Sequence, residues 1–335
     1  MRIGRLLALG FICAPLPVWA CAPPADPVLS LDFESRYDPD DTARATPDAD
    51  RQAAAEAALD PLDAFIRDLS QGLNAALSTD TAADQATQAA CLLTQIGVWA
   101  AADALSDQAT ETVALTIGSR LSALALVATR AAGIVPNHPD LPEIRDWLSR
   151  RVTAQMTFWE TAPDRAGQNN LRAWAALAGA ATAGLVEDPV MRGWAAWSVA
   201  YVLCSASEDG SLPLEMHRGR LALHYQLHAL APLTTAVLVL KNQGLDLTQR
   251  CDDALSRAVR FALSDLGDGQ KSASHSGEVQ SFFDGSDQLE AWQLAWLEAY
   301  LKLDPNPQIL ALADPLRPLS YSKLGGNQTL YWQAN

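Results

Sequence analysis

Along most of the chain, apolar positions recur every three to four residues, which places them on one face of an α-helix. No segment shows the sustained apolar–polar alternation of a half-buried strand. Alanine is abundant and runs of β-branched residues are few, which favours helix over sheet. The pattern therefore predicts an all-α protein. The predicted helices span residues 50–77, 82–105, 109–132, 141–160, 169–184, 189–205, 218–243, 247–266 and 288–303, with a short one at 308–313.

Short breaks separate these segments, so consecutive helices are predicted to pack as antiparallel hairpins. Pro61 marks a kink or a boundary within the first segment. Gly133 is predicted to end the third helix as its C-cap, since Pro136 follows soon after. Residues 267–285 are polar and rich in Gly and Ser, which is typical of a lid or a disordered segment, and His275 within them is expected to be solvated. No fixed-period repeat indicates a solenoid.

The first twenty residues have the features of an export signal. Arg2 and Arg5 precede a short apolar run over residues 6–12, and small residues follow before the expected cleavage site. The apolar run is too short, and too interrupted by proline, for a membrane span. We therefore expect residues 1–20 to be a signal peptide and the protein to be periplasmic or secreted.

We expect the exported chain, residues 21–335, to form a single domain. It contains four cysteines, which are Cys21, Cys91, Cys204 and Cys251. In an oxidising compartment they can form two disulfides, and spacing alone leaves the pairing open. Cys21 directly follows the expected cleavage site, so a lipid-anchored form is an alternative.

The chain is strongly acidic, with a net charge of −15. Loss of the signal removes Arg2 and Arg5 and no acidic residue, which leaves 22 basic against 39 acidic residues. Such a surface excludes nucleic acid as a partner. It would also repel an acidic polysaccharide, so a ligand of that kind must be attracted by a local basic cleft.

The most informative stretch is residues 209–232, DGSLPLEMHRGRLALHYQLHALAP. Arg218 and Tyr225 lie seven residues apart in a predicted helix and should share one face. There the guanidinium can hold a carboxylate while the phenol exchanges a proton. The alternative is a core tyrosine and a solvated arginine, because any amphipathic helix shows this spacing.

Three histidines on the same helix have a spacing that allows two of them to bind a metal. They are His217, His224 and His228. No cysteine or acidic cluster accompanies them, so we interpret them as a polar helix edge and expect no metal and no cofactor.

Residues 212–233 resemble a helix of the periplasmic alginate lyases, the poly(β-D-mannuronate) lyases of polysaccharide lyase family 5. The family pattern is close to LPNEL, two basic residues, then RALAYHNYALPPL. Three further segments match in the same order. They are residues 31–46 (family LDF-x-SKY-x-x-SD-x-AR-x-T), residues 168–174 with QNN and a Trp (family NNH-x-YW), and residues 324–326 with LGG (family RLGG).

The resemblance implies an incomplete α/α toroid, a ring of helical hairpins around a deep cleft. It implies β-elimination in an acidic polysaccharide, a 4-linked uronan, without a metal. We expect the enzyme to be a monomer. The family also suggests a disulfide between Cys21 and Cys91, which leaves Cys204 to pair with Cys251.

Carried over by position, the resemblance makes Tyr225 the base and acid, with Arg218 and Asn170 beside the substrate carboxylate. The further residues predicted to bind substrate are Arg36, Tyr37, Asn169, Arg172, Trp174 and His228. Some of these residues have a structural alternative. The two asparagines can cap the following helix, and Trp174 can simply pack in the core.

The chain departs from the family where the carboxylate is neutralised. The family histidine is replaced by Leu171, which can neither neutralise a carboxylate nor accept a proton, and a family tyrosine is replaced by Ala173. Arg36 replaces a lysine, and His228 replaces a tyrosine and can supply an imidazole from another direction. These changes suggest a substrate other than plain polymannuronate, such as a glucuronate-containing exopolysaccharide. The alternative is a non-catalytic uronan-binding or export-associated protein.

Overall fold

The computed structural model describes residues 21 and 23–333, so the expected signal peptide lies outside the described residues. The described chain is mainly helical, which confirms the all-α prediction. Its helices are α1 (Ala49–Leu77), α2 (Ala82–Ala101), α3 (Glu111–Thr116), α4 (Gly118–Ile134), α5 (Leu141–Glu160), α6 (Asn170–Val186), α7 (Pro189–Leu203), α8 (Pro213–Met216), α9 (Ala222–Asn242), α10 (Arg250–Asp265), α11 (Gln270–Ser276), α12 (Leu297–Leu303), α13 (Pro307–Ala313) and α14 (Gln328–Gln333). Two-residue strands complete it: β1 (Ser30–Leu31) pairs in parallel with β2 (Asp107–Gln108), and β3 (Ser320–Tyr321) pairs antiparallel with β4 (Gly326–Asn327).

The helix α6 lies at the centre of the helical packing. It contacts α4, α5, α7 and α9, and every residue from 172 to 183 is buried. Seven of those residues are alanine, and small side chains let neighbouring helices approach closely. The approach of α4 is the tightest of these, because a Cβ on Gly118 would lie 2.7 Å from the backbone nitrogen of Ala175.

Three local predictions were wrong. The segment predicted as one helix over residues 109–132 is two helices that meet at Ile117. The second of these helices, α4, continues through Gly133, which is therefore not a cap. Nothing lies within 4 Å of the Cβ position of Gly133, so packing does not end the helix there. The stretch 267–285 is not irregular throughout, since α11 lies within it and His275 on that helix bonds Asp209, with 2.7 Å between imidazole Nε2 and carboxylate Oδ2.

Two disulfides, Cys21–Cys91 and Cys204–Cys251, have the pairing that the resemblance suggested. The first ties the N-terminal segment to α2, and the second ties the end of α7 to the start of α10. Because the sulfur of Cys21 is bonded to Cys91, it is not free to carry a lipid.

One helical span, Gly219–Asn242, is long and apolar enough to cross a membrane. Within the described chain 83% of its apolar window is buried against other helices. This span includes α9, whose apolar character is explained by its place in the core.

We predict that Gly118→Ala destabilises the fold by about 1–3 kcal/mol, because the new methyl group would push α4 away from α6. The matched control is Gly133→Ala on the same helix, where nothing lies within 4 Å of the added Cβ. That substitution should stabilise the protein by up to about 1 kcal/mol through helix propensity. Urea unfolding of both variants measures the difference, and equal effects would show that the α4–α6 approach does not limit packing.

Candidate active site

The hydroxyl of Tyr225 is the centre of a buried polar cluster. Tyr225 lies in the first turn of α9 and is 7% exposed. Its hydroxyl oxygen forms a short hydrogen bond with the hydroxyl of Tyr37. A terminal nitrogen of Arg36 donates to both phenol oxygens, at 2.8 Å to Tyr37 and 3.5 Å to Tyr225. The N-terminal segment therefore completes a site whose other half lies almost 190 residues later.

Arg218 reaches the same cluster, although not from the helix on which it was predicted. A turn at residues 217–218 and a 3₁₀ turn at 219–221 precede α9, and Gly219 has a φ of +56°. The guanidinium carbon of Arg218 lies 3.5 Å from the centre of the Tyr225 ring. Its Nε and Nη2 donate to the carbonyls of Ala43 and Arg44, at 2.8 and 2.6 Å. Loop carbonyls, not helix geometry, thus hold the cation against the phenol.

The two guanidinium groups set the ionisation of the tyrosine pair. Burial alone would raise the pKa of Tyr225, but Arg218, Arg36 and the hydrogen bond from Tyr37 outweigh it and lower that pKa below its ordinary value. Burial and the neighbouring Tyr225 raise the pKa of Tyr37. Tyr225 is therefore the phenol that ionises first, and Tyr37 then donates to its oxygen.

Asn170 is the first residue of α6, and its predecessor Asn169 caps that helix by accepting from the N–H of Leu171 at 3.0 Å. Asn170 itself is buried and bound to Glu215. Its backbone N–H donates to Glu215 Oε1 at 2.6 Å, and its side-chain Nδ2 donates to both carboxylate oxygens at 3.0 and 3.2 Å. Its Oδ1 is buried without a partner in the described chain. An oxygen left unsatisfied in this way is suited to accept from a ligand.

Glu215 was not predicted as a site residue, although it lies within the quoted motif. It is 1% exposed, and burial raises its pKa to about 7 against the opposing effects of Arg218 and Asn170. Its carboxyl group stands between Asn170 on α6 and the turn that carries Arg218. Glu215 thereby links the residues that were predicted to surround the substrate carboxylate.

His228 lies three residues after Tyr225, and the two rings are nearly perpendicular with centres 6.0 Å apart. Its Nε2 accepts the indole N–H of Trp174 at 3.0 Å. Because an indole nitrogen can only donate, Nδ1 must carry the imidazole proton. Burial, followed by His224 and the nearby guanidinium groups, lowers the pKa of His228 to about 3, so it is a neutral donor. Trp174 is 1% exposed and packs in the core, so it offers no face to a sugar.

Arg172 does not join this cluster. Its Nε donates to Ser198 Oγ at 3.2 Å, and its guanidinium lies 4.6 Å from the ring centre of Trp197 on α7. The structure does not bring Arg172 to Tyr225, because its position on α6 directs it toward α7. Leu171, in the place of the family histidine, packs against the small apolar cluster that includes Trp159.

A small cavity of about 10 Å³ lies beside His228, which is room for one water molecule. It is lined by His224, Leu227, His228, Ala231, Trp292, Gln293 and Tyr321. A wider cavity of about 660 Å³ is lined by residues such as Asn242 at the far end of α9. That end is about 26 Å from Tyr225 along the helix, and no residue of the Tyr225 cluster lines this cavity.

Comparison with known proteins agrees with this fold. Residues 117–272 match the family model described as Alginate lyase. An alginate lyase of Pseudomonas syringae pv. syringae (strain B728a) is 29% identical over 307 residues, which cover 89% of this chain and 79% of that protein. A polysaccharide lyase of Stenotrophomonas maltophilia (strain K279a) is 30% identical over 189 residues, or 56% of this chain and 54% of the relative.

Solved structures show the same architecture. A variant of alginate lyase A1-III complexed with a tetrasaccharide superposes with a TM-score of 0.76 at 21% identity, covering 92% of this chain and 85% of that one. Alginate lyase A1-III from Sphingomonas species A1 gives 0.74 at 20% identity with the same coverage. The fold is thus the α/α toroid. The chain is a polysaccharide lyase. More closely, it is alginate lyase-like, which confirms the resemblance drawn from its motifs.

Glu215→Gln is predicted to flatten the pH dependence of stability between about pH 5 and pH 7. In the native protein Glu215 keeps its proton up to a pKa of about 7, whereas the unfolded chain releases it near 4.5. Stability therefore falls as pH rises through this window, and glutamine cannot ionise. Urea unfolding at several pH values measures the slope.

The control for this measurement is Glu298→Gln. Although burial opposes it, hydrogen bonding to Arg317 and Thr329 lowers the pKa of Glu298. Its ionised form therefore contributes stability that is lost as pH falls. Because this loss lies below about pH 4.5, the control should keep the wild-type slope between pH 5 and pH 7 and reduce the loss of stability at lower pH. A Glu215→Gln variant with the wild-type slope would show that Glu215 does not titrate in this range.

Proposed function

We propose that this enzyme cleaves a 4-linked uronan by β-elimination, with Tyr225 as both base and acid. The observation that supports this proposal most directly is the buried contact of the Tyr225 phenol with Arg218, Arg36 and Tyr37. A phenol whose pKa is lowered by cations ionises more readily than an ordinary tyrosine, and its phenolate can accept a proton.

The proposed step begins with the proton at C5 of the sugar, next to the carboxylate. The Tyr225 phenolate takes this proton, the C4–O4 bond breaks, and a C4–C5 double bond forms. The proton then passes from Tyr225 to the departing O4, so one residue serves at both ends of the step. This requires proton and leaving group on the same side of the ring, as in mannuronate.

The developing charge on the carboxylate must be stabilised while C5 loses its proton. The groups available are the guanidinium of Arg218 and the Nδ1–H of neutral His228, while Asn170 Oδ1 can accept from a sugar hydroxyl. Arg36 donates to the Tyr225 oxygen and adds a second positive charge. Asn169 contributes by capping α6, which fixes Asn170 in place.

We propose alginate-type polymannuronate or a glucuronate-containing exopolysaccharide as the substrate. Because Leu171 replaces an imidazole, the carboxylate shell has one polar group fewer, which favours a sugar bound somewhat differently from plain mannuronate. The test is incubation with mannuronan, guluronan and glucuronan while unsaturated uronate is followed by absorbance. Product from any of them supports the proposal. If none of the three polymers yields unsaturated uronate while polymer binding is retained, the protein would instead be a uronan-binding protein.

We also propose export to the periplasm or the medium. The two disulfides form in oxidising compartments, which supports this location. Detection of the mature chain starting at Cys21 in a periplasmic extract, by mass spectrometry, would test it. A chain retained in the cytosol with residues 1–20 intact would contradict it.

Tyr225→Phe is predicted to lower kcat by about 100-fold or more, because the group proposed to move the C5 proton is removed. Polymer binding should change little, since the ring and the guanidinium groups remain. The matched control is Tyr300→Phe, whose hydroxyl lies 3.4 Å from Asp304, and this variant should keep wild-type kcat. Persistent elimination by Tyr225→Phe would remove this tyrosine from the mechanism.

Leu171→His is predicted to raise activity on mannuronan by about tenfold or more, if the missing imidazole limits stabilisation of the carboxylate. Initial rates on mannuronan and on glucuronan measure the effect. The control Leu171→Asn introduces polarity without an imidazole and should give a smaller gain. No gain from histidine would mean that the cleft is shaped for a different sugar.

A further inference from the structure

Two aromatic side chains on the outer face of α7 are exposed to solvent. Trp197 and Tyr201 lie one helical turn apart, and their rings stack with centres 5.1 Å apart and planes 9° from parallel. Trp197 is 51% exposed and Tyr201 is 39% exposed. A large aromatic pair kept in water costs hydrophobic free energy, so a clustered exposed pair indicates a binding surface.

A buried cation lies against this pair. Arg172 is 4% exposed, and its guanidinium carbon is 4.6 Å from the ring centre of Trp197 and 5.1 Å from that of Tyr201. Trp159 forms a third wall at 5.6 Å. This cage of three rings holds a positive charge directly below an exposed aromatic surface.

The guanidinium of Arg172 retains unused donors. Its Nε donates to Ser198, while no hydrogen bond or ion pair to its terminal nitrogens is present in the described part of the chain. Glu160 is near enough to raise the pKa of Arg172 but does not pair with it. A guanidinium has five N–H donors in a planar fork that matches a carboxylate. The cage can therefore bind an anion as well as an apolar face.

The cage adjoins the catalytic cluster. The backbone carbonyl of Tyr201 accepts from the side chain of Gln168 at 3.1 Å, just before the asparagine pair. The Tyr201 ring also lies 3.8 Å from the position of a Cβ on Gly167. The exposed pair thus borders the loop that leads into Asn170.

Further guanidinium groups lie between the catalytic cluster and the cage around Arg172. Arg44, whose carbonyl holds Arg218, is close enough to Arg218 and Arg165 for both to lower its pKa, burial being the larger cause. Arg165 lies in the loop immediately before Gly167 and is paired with Glu111. In a chain with a net charge of −15, Arg218 and Arg44, with Arg165 and its partner Glu111 beside them, form a local basic region that is complementary to an acidic polymer.

We propose that Trp197, Tyr201 and Arg172 form an accessory subsite that binds a uronate unit of the polymer outside the catalytic cleft. The sugar ring stacks on the exposed face of Trp197, and the carboxylate is bound by the terminal nitrogens of Arg172. This inference rests on the proposed function, because it takes the same polymer as ligand. The subsite would retain a long chain between successive cleavages.

The test measures binding in a Tyr225→Phe background, where the polymer is not cleaved. Dissociation constants are measured for long-chain mannuronan, for its trisaccharide and for neutral dextran, with and without Trp197→Ala. We expect Trp197→Ala to weaken binding of the long chain by about tenfold, which corresponds to 1.4 kcal/mol. The ratio of long-chain to trisaccharide affinity should fall accordingly. The control is Val190→Ala on the same helix, a residue 71% exposed, which should bind the long chain like the parent.

A second variant, Arg172→Met, separates stacking from charge. It keeps an unbranched apolar side chain in the cage and should lower affinity for mannuronan while weakening its salt dependence. Unchanged long-chain affinity in Trp197→Ala would overturn the inference. Equal losses for dextran and mannuronan would also overturn it, as would sedimentation showing that the aromatic pair joins two copies of the chain.

These outcomes are distinguishable from failure of the proposed function. The proposed function fails if the wild-type enzyme releases no unsaturated uronate from any of the three uronans. The inference fails if wild-type protein binds and cleaves the polymer while Trp197→Ala retains the long-chain affinity of the parent.

Discussion

The buried contact between the Tyr225 phenol and the guanidinium of Arg218 is the interaction on which the rest of the site depends. Burying a charge is costly unless it is paired or hydrogen bonded. Here the carbonyls of Ala43 and Arg44 supply that hydrogen bonding, and the ring face of Tyr225 supplies a cation–π contact. Because those carbonyls belong to the N-terminal segment, the cation is held in place only when that segment covers the toroid. Order in residues 36–48 and ionisation of Tyr225 are therefore physically coupled.

The helices of the toroid position the other residues of the site around this contact. A row of alanines lets α6 pass through the middle of the fold, so its first residue, Asn170, reaches the site while fully enclosed. Free N–H groups and the helix dipole at the start of α6 favour a negative group, and the carboxyl of Glu215 lies there. Burial nevertheless raises the pKa of Glu215 to about 7, so the helix terminus lessens the cost of its charge without removing it. The result is a carboxyl group that orients Asn170 and lies close enough to Arg218 to feel its charge.

Sequence predicted the helices well where local chemistry fixes their ends. The bounds of α5, 141–160, were predicted to the residue, because Pro142 fits only the first turn of a helix. The prediction failed where tertiary contacts decide. Arg218 was placed on a helix because the spacing to Tyr225 is seven residues, yet Gly219 adopts a positive φ and turns the chain before α9 begins. The two side chains meet all the same, through the loop carbonyls.

The site residues also divide into those that the sequence predicts and those that only tertiary contacts decide. Tyr225, Arg218 and the pair Arg36–Tyr37, which the motifs single out, lie in one cluster, and Asn170 adjoins it through Glu215. Glu215 was not predicted, because a buried acid has no signature in the sequence beyond its identity. The sequence does not show where Arg172 points, because the rotation of α6 is set by its neighbours and a step of one residue turns a side chain by about 100°.

Leu171 in place of the family histidine changes the charge available in the site more than its shape. Leucine provides no polar group at this position and packs against the cluster that includes Trp159. His228 lies on another side and is kept neutral by burial and by the surrounding cations, so it can donate a hydrogen bond but adds no charge. The positive charge in contact with the Tyr225 phenol comes from Arg218 and Arg36. Under the proposed function, a bound sugar acid would place its carboxylate toward these two guanidinium groups, and this orientation would contribute to the choice of substrate.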